Sequence, residues 1–204
     1  MAKKPIDDMY FKAYSPEKKP YNRIYMMYSA IDECIVLFNR EKAPRLKRIL
    51  IFGSATGKVA EDFYHAFNVI PYGCEINPWA HSQIAPKFRR RVALQDMRDY
   101  VDDLISSHQQ FDLGFSNSFQ YLEKETIPEF FGKLGKICRH IHFHTSFKGN
   151  AARDPYRKTL ESYQWWDNQL ENAGFTAMAD LWGERTHLWK NKRLRDSEKN
   201  KSTI

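Results

Sequence analysis

Blocks of apolar and polar residues alternate along the chain and predict strands and helices in turn. Short apolar runs closed by a turn residue, such as ILIF at 49–52, predict buried strands. Apolar residues three and four positions apart, as in KVAEDFYHAF at 58–67, predict helices with one buried face. The predicted strands are 49–52, 69–75, 92–96, 111–117, 140–147, 175–182 and 186–192. The predicted helices are 21–38, 58–67, 78–88, 97–108, 124–138 and 154–174.

The order of these elements predicts an α/β domain. Because strands alternate with helices, we expect a doubly wound, mostly parallel, seven-stranded sheet covered on both faces. The last two strands are joined by Gly183-Glu184-Arg185 and predict a C-terminal antiparallel hairpin at one edge. Ligands of such sheets bind at the carboxyl ends of the strands, where strand order reverses, and the first strand normally lies there. The turn at 53–57 is therefore the predicted centre of the site.

The net charge of +7 lies at the two ends of the chain. Residues 1–48 hold 11 Lys and Arg against 6 Asp and Glu, and residues 188–204 hold 6 against 2. The 139 residues between them are close to neutral, with 15 basic against 17 acidic side chains. Basic ends are typical of solvated termini, so nucleic-acid binding is possible but not favoured.

The cysteine count and the hydropathy indicate the cellular compartment in which we expect the protein. Cys34, Cys74 and Cys138 are odd in number and far apart, so they predict neither a disulfide framework nor a zinc site. No apolar stretch approaches the roughly 20 residues that span a membrane, and the first residues lack the apolar core of a signal peptide. We therefore expect a cytoplasmic protein that does not enter a membrane, while the sequence leaves the oligomeric state open.

The turn after the first predicted strand excludes two common phosphate-binding loops. A loop that binds a nucleoside triphosphate requires G-x-x-x-x-G-K-[ST]. Gly53 and Gly57 are one residue too close for this motif, and Val59 follows Lys58. The dinucleotide fingerprint G-x-G-x-x-G also fails, because Ala55 stands at its second glycine. A nicotinamide oxidoreductase is therefore a minor alternative.

Polar residues follow the next three strands at matching positions. Glu75 lies 22 residues after Gly53, near the spacing of about 20 expected for a carboxylate that binds ribose hydroxyls. Asp96 ends the third strand and can accept a hydrogen bond from an adenine amino group; as an alternative it caps the next helix. Ser116 and Asn117 end the fourth strand, near where a reacting centre would lie.

At these motifs the chain resembles the class I S-adenosylmethionine-dependent methyltransferases. The segments that carry the resemblance are ILIFGSATGKVA, YGCEINPWA, ALQDMRD, FDLGFSNSFQYL and the closing WWDNQLENAGF with its two strands, which together span about residues 45–193. The resemblance implies a Rossmann-like fold, S-adenosylmethionine as the cofactor and methyl transfer as the activity. The cofactor-binding residues that we expect are Gly53, Ser54, Ala55, Gly57, Glu75, Ile76, Asp96, Met97, Ser116, Asn117 and Tyr21.

Two positions depart from the family pattern. The family usually has an acid two residues before the first glycine, where this chain has Ile51, and a glycine where it has Ala55. The acid commonly helps to hold the amino-acid end of the cofactor or the amides around it. The main alternative to a methyltransferase is therefore a non-catalytic relative that serves as a scaffold or regulatory subunit.

The residues before the sheet predict a helical cap. Ile24, Met27, Ile31, Ile35 and Phe38 form one apolar stripe that needs a partner. We expect this helix to cover the site and exclude water, which brings Tyr21 near the cofactor or the acceptor; as an alternative it packs on the side of the sheet. The predicted organisation is an arm and cap helix at 1–44, the cofactor-binding domain at 45–193 and a basic flexible tail at 194–204.

The sequence identifies no catalytic residue and predicts no metal site. His140, His142 and His144 alternate along a strand and share one face, for which a structural or substrate-side role is expected. Asp112 is interpreted as a structural acid at a strand start. No separate target-recognition domain fits in the remaining length, so a small molecule or a protein side chain is the expected methyl acceptor.

Overall fold

The computed structural model of the chain describes residues 31–36, 38–39, 46–144, 156–178 and 187–194. In this part of the chain, seven strands form one sheet in the order β3-β2-β1-β4-β5-β7-β6. The strands are β1 (Ile49–Phe52), β2 (Tyr72–Glu75), β3 (Val92–Leu94), β4 (Phe111–Ser116), β5 (Cys138–Phe143), β6 (Phe175–Ala177) and β7 (Leu188–Asn191).

The pairing of the strands confirms the predicted architecture. β1 to β5 are parallel, and β1 lies between β2 and β4, where strand order reverses. β7 pairs antiparallel with both β5 and β6, so the C-terminal hairpin inserts its second strand next to β5. The carboxyl ends of β1 to β5 and the amino end of β7 therefore share one edge of the sheet, called here the upper edge.

Six α-helices are fully bounded within the described residues. They are α1 (Lys58–Phe67), α2 (Pro78–Gln83), α3 (Pro86–Arg89), α4 (Met97–Ser106), α5 (Ile127–Ile137) and α6 (Tyr163–Asn172). Two single 3₁₀ turns, Phe119–Tyr121 and Lys124–Thr126, connect β4 to α5. Residues 31–36 and 38–39 are also helical. No helix in the described ranges has the length and hydropathy needed to cross a membrane.

The sheet separates two apolar cores, as expected for a doubly wound fold. Leu50 and Phe52 of β1 face the core that α4, α5 and α6 cover, and Ile49 and Ile51 face the opposite core. α1, the region of α2 and α3, and the helical residues 31–36 and 38–39 cover this second core. Alternating side chains of one buried strand thus serve both layers.

The described part of the N-terminal helix packs on the face of the sheet. Ile31, Cys34 and Phe38 are buried in the same core as Leu113 and Phe115 of β4. The described residues of this helix therefore pack on the side of the sheet, which was the alternative to covering the site. Tyr21 lies outside the described residues, so its contact with a ligand stays a prediction, as does the division of the chain at residues 44 and 193.

The long helix predicted at 154–174 is wrong in its first half, because α6 begins only at Tyr163. The hydroxyl of Ser162 accepts a hydrogen bond from the amide of Trp165 at 3.2 Å and caps the helix. Before this cap, the amides of Lys158 and Thr159 donate to the Gln120 carbonyl at 2.9 and 3.0 Å. These bonds hold the segment against the turn after β4 instead of within a helix.

Other predicted bounds also require correction. The helix predicted at 78–88 is two helices, because Pro86 cannot donate the amide that a continuous helix needs. β5 runs from Cys138 to Phe143 instead of 140–147, since Cys138 already pairs with Phe111. The strands predicted at 69–75 and 92–96 are shorter, at Tyr72–Glu75 and Val92–Leu94. The β1 and α1 bounds are confirmed as predicted.

Replacing Ser162 with alanine tests the position of the helix start. The variant Ser162→Ala removes the capping acceptor, and we expect the free energy of unfolding to fall by about 1 kcal/mol in urea denaturation. If the helix instead ran through this position, alanine would raise the stability by up to about 0.5 kcal/mol through its helix propensity. The control is Ser106→Ala at the exposed C-terminal end of α4, where no amide loses its acceptor.

Candidate functional site

The turn between β1 and α1 has a backbone that favours glycine. Gly53, Ala55 and Gly57 have φ angles of +69°, +46° and +87°, in the left-handed region. A Cβ added to Gly57 would lie 2.8 Å from Cγ2 of Ile84, and one added to Gly53 would overlap Ser118. Both glycines are thus required by conformation and by space, whereas Ala55 adopts the strained region with a side chain.

The carboxylate of Glu75 connects this turn to the end of β2. Oε2 accepts a hydrogen bond from the Ala55 amide at 2.7 Å, and Oε1 accepts one from the Asn77 amide at 2.9 Å. The side chain is buried, with 4% of the residue exposed. Burial raises the pKa of Glu75, and the hydrogen bonds from Asn77, Ala55 and Ile76 lower it in part, leaving a net increase. Glu75 is therefore a buried brace of the turn as well as a candidate ligand-binding group.

Two large apolar side chains are exposed beside this carboxylate. Ile76 follows Glu75 and is 57% exposed, and Leu94 of β3, the register partner of Glu75, is 52% exposed. Apolar side chains at the edge of a site are available to pack against a flat ring. The sequence predicted Ile76 in the site but missed Leu94. The pattern that could have indicated Leu94 is a leucine directly before the polar end of a buried strand.

Asp96 begins α4 and caps it, which is the structural alternative for this residue. Its Oδ1 accepts from the Arg98 amide at 2.8 Å, and the Arg98 guanidinium donates to both carboxylate oxygens at 2.9 Å. Burial raises the pKa of Asp96, but the Arg98 side-chain and backbone hydrogen bonds outweigh it, so the pKa lies below its ordinary value. Met97 is half-buried against the core. A contact of either residue with a ligand stays a prediction.

The end of β4 adjoins the same turn. Ser116 is completely buried, pairs with Phe52, and its hydroxyl accepts from the Ser118 amide at 2.9 Å. Asn117 is half-exposed. Ser54 is buried under the turn, where its hydroxyl lies 3.5 Å from the Ile51 carbonyl. The structure thus gathers the predicted site residues of all four strand ends at the upper edge, with Ser54 and Ser116 turned inward.

The histidines of β5 form a cluster that the sequence did not predict in full. His140 lies against Phe38, with ring centroids 4.8 Å apart, and Nε2 of His142 donates to Oε2 of Glu33 at 3.0 Å, so both histidines lie on the sheet face that the N-terminal helix covers. The backbone amide of His187 donates to Oε1 of the same carboxylate at 3.2 Å. His144 lies against His187, with ring centroids 4.9 Å apart. In the described part of the chain, no group of three His, Cys, Asp or Glu residues is arranged to hold a metal ion.

Asp112 has the structural role that the sequence predicted. Its Oδ2 accepts from the amides of Lys47 and Arg48, both at 2.9 Å, and Oδ1 lies 3.5 Å from Nη1 of Arg139. These contacts lie at the start of β4, at the edge of the sheet opposite the site.

In sequence, no protein-family model and no curated protein matches the chain. Solved structures do match it. A SAM-dependent methyltransferase from Archaeoglobus fulgidus is 18% identical, with a TM-score of 0.64 over 83% of this chain and 75% of that one. Magnesium protoporphyrin IX methyltransferase from Synechocystis, with SAH bound, is 12% identical, with a TM-score of 0.61 over 89% and 91% of the two chains. The cyclopropane synthase MmaA2 from Mycobacterium tuberculosis is 13% identical, with a TM-score of 0.62 over 85% and 73%.

The chain has the class I methyltransferase fold. It has the strand order of this fold, with the switch point at β1 and the C-terminal hairpin inserted next to β5. The sequence motifs quoted above occupy the expected places in this fold, since Gly53–Gly57 follows β1, Glu75 ends β2 and Asp96 follows β3.

The left-handed backbone at Ala55 predicts how substitutions in the turn at 53–57 change the free energy of unfolding. The left-handed conformation costs an L-residue about 1–2 kcal/mol, part of which the greater freedom of glycine in the unfolded chain offsets. We therefore expect Ala55→Gly to raise the free energy of unfolding by up to about 1 kcal/mol. Gly57→Ala should lower the free energy of unfolding, because its Cβ meets Ile84. As a control, Asn68→Gly should gain less, since Asn68 has a similar φ of +54° and asparagine tolerates it. Chemical denaturation ranks the three.

The raised pKa of Glu75 makes the stability depend on pH. Between the ordinary pKa of 4.5 and the raised value, the folded protein binds more protons than the unfolded chain. Its stability therefore falls as the pH rises through this interval. Glu75→Gln removes that contribution, so we expect its free energy of unfolding to fall less than that of the parent as the pH rises above 4.5. An exposed glutamate, changed in Glu125→Gln, serves as control, and equal slopes in all three proteins would contradict the prediction.

Proposed function

We propose that this protein binds S-adenosylmethionine at the upper edge of its sheet and transfers the methyl group to a small molecule or a protein side chain. The observation that carries the proposal is the buried Glu75 carboxylate, bonded to the Ala55 amide, with the exposed side chains of Ile76 and Leu94 beside it. A polar group and an apolar surface at the switch point are what a nucleoside requires.

The residues at this edge fit the chemistry of the cofactor part by part. Each oxygen of the Glu75 carboxylate has two lone pairs, of which the backbone amides use some, so ribose hydroxyls can donate to the remainder. Ile76 and Leu94 offer apolar surface for the adenine ring. α1 has no side-chain cap at Gly57, so its first amides favour a carboxylate such as that of the methionine part.

Methyl transfer asks little of the protein beyond alignment. The bound sulfonium supplies an already activated methyl group, so the chain must hold the acceptor in line and exclude water. Asn117 is half-exposed at the end of β4, and we expect the acceptor to lie near it. One of the similar structures is a methyltransferase of magnesium protoporphyrin IX. This neighbour supports a small-molecule acceptor for the present chain.

A non-catalytic relative is the second candidate, and Ile51 is the observation that favours it. This side chain occupies the position of the family acid and is 1% exposed within the core, so a charged group there is replaced by an apolar one. Such a relative would keep the fold and serve as a scaffold or regulatory subunit. It is distinguished from an enzyme by turnover, because either protein can bind the cofactor.

Calorimetric titration with S-adenosylmethionine, S-adenosylhomocysteine and NAD tests the proposed cofactor. We expect the first two to bind and NAD not to bind, because the turn lacks the dinucleotide fingerprint. Binding of NAD alone would favour an oxidoreductase. Binding of none of the three would favour the scaffold.

Replacing the exposed apolar residues tests where the adenine ring lies. We expect Ile76→Asn and Leu94→Asn each to weaken S-adenosylhomocysteine binding about fivefold, the loss of roughly 1 kcal/mol of apolar burial. Both side chains are exposed, so the fold should persist. Val36→Asn is the matched control, because Val36 is 43% exposed on the helix before the sheet. Equal affinities in all three variants would place the ring elsewhere.

A further inference from the structure

The upper edge of the sheet has a second half, on the β5 and β7 side, that the proposed cofactor site does not include. His144 follows β5, and its amide donates to the Ser116 carbonyl at 3.1 Å. His187 precedes β7, and its carbonyl accepts from the Phe143 amide at 2.8 Å. Because β7 runs antiparallel to β5, both histidines lie at the edge where β4 ends. The imidazoles therefore stand on the far side of β4 from the Gly53–Gly57 turn.

Glu33 reaches this half from the helix that packs on the sheet face. Only 7% of the residue is exposed, and its carboxylate touches two histidines. Besides the bonds from Nε2 of His142 and the amide of His187, Nδ1 of His187 lies 3.8 Å from Oε2 of Glu33. Burial raises the pKa of Glu33, but the hydrogen bond from His142 and the amide of His187 outweigh it, so its pKa lies below the ordinary value. The carboxylate is ionised at neutral pH and favours a protonated neighbour.

The two histidines on Glu33 differ in what they can reach. His142 is 1% exposed and stacks on Phe115 with ring centroids 5.3 Å apart, so no substrate can touch it. Its Nδ1 is buried and has no hydrogen-bond partner among the described residues. His187 is 26% exposed and lies against His144. Of the pair, His187 is the imidazole that a ligand at the upper edge can contact.

We propose that His187 is the base of the acceptor half of the site, with Glu33 as its positioning residue, and that the acceptor is a hydroxyl group. This inference rests on the proposed methyl transfer. Glu33 faces Nδ1 of His187, which places Nε2 on the opposite edge of the ring. A carboxylate on one ring nitrogen fixes the ring and supports the proton that the other nitrogen takes up. Nδ1 of His187 and Oε2 of Glu33 are 3.8 Å apart, which is an ion-pair distance and longer than a hydrogen bond.

The reaction balances with the groups named. The hydroxyl oxygen of the acceptor forms a bond to the methyl carbon, and the carbon–sulfur bond breaks with its electron pair going to sulfur. The hydroxyl proton passes to Nε2 of His187 and then to solvent. Imidazole, with an ordinary pKa of about 6.5, can accept a proton at neutral pH. A carboxylate acceptor is already ionised and needs no base. The presence of a base therefore favours an acceptor that still carries its proton.

Histidine NMR tests the geometry without an acceptor. The probe is S-adenosylhomocysteine added to protein labelled at histidine Cε1. We expect saturation to shift the His144 and His187 signals and to leave His65 and His108 unchanged, because α1 and α4 carry these two to the opposite edge. Glu33→Gln should lower the titration midpoint of His187, since the opposite charge 3.8 Å from its Nδ1 is lost. Among the residues that the structure describes, the titratable groups that face His187 are Glu33, His142 and His144.

The outcomes of the NMR experiment separate the two proposals. Failure of S-adenosylhomocysteine to bind contradicts the proposed function. Binding without any shift at His187, or an unchanged His187 midpoint in folded Glu33→Gln, overturns the acceptor-half assignment alone. If Glu33→Gln does not fold, the cofactor-induced shifts in the parent protein still decide, because they need no variant.

Transfer of a radiolabelled methyl group to the small molecules and the proteins of a cell extract tests the chemistry. We expect His187→Asn to reduce product formation at least tenfold while S-adenosylhomocysteine affinity stays within twofold. The kcat/KM of the parent should fall at acid pH at the NMR midpoint of His187, and Glu33→Gln should move that fall to lower pH. Labelled product that alkali releases as methanol is an ester and overturns the hydroxyl assignment, as does a methylated amine. Binding without any product contradicts the transfer reaction itself.

Discussion

The hydrogen bond from the Ala55 amide to the buried carboxylate of Glu75 is the contact on which the site depends. It joins the turn after β1 to the end of β2, while the other carboxylate oxygen holds the Asn77 amide that begins α2. A carboxylate this deeply buried is stable only when its oxygens are bonded. The same requirement fixes the left-handed turn, because the Ala55 amide must point at β2. Release of Glu75 would free both turns at once.

This contact gives the turn a carboxylate although Ile51 stands where the resemblance leads us to expect an acid. The resemblance implies that such an acid helps to hold the amides of the turn, and here the Ala55 amide is bonded to Glu75. Ile51 is then free to join the core beside Ile49, where its 1% exposure leaves no room for a charge. We infer that the Glu75 carboxylate performs part of the role that the resemblance assigns to two acids. Glu75 braces the turn from β2, and it is also the residue for which a ligand contact is proposed.

The elements that follow local rules could be predicted from sequence, and those held by distant contacts could not. ILIF and KVAEDFYHAF gave β1 and α1 to the residue, because apolar periodicity and Gly57 are local signals. The first half of the helix predicted at 154–174 failed, because the Gln120 carbonyl draws the backbone of Lys158 and Thr159 away from helix. Glu33 and His142 are 109 residues apart, and no pattern near either one indicates the pair.

The two halves of the upper edge come from different parts of the chain. The β1-to-β3 half is built by local turns of the repeating strand–helix unit, with Glu75, Ile76 and Leu94 next to one another. The β5-to-β7 half needs Glu33, from a helix outside that repeat, and His187, from the inserted hairpin. Substitutions in the second half leave the brace at Glu75 untouched, since the two share no contact among the described residues. The proposed acceptor half can therefore be altered without disturbing the proposed nucleoside-binding edge.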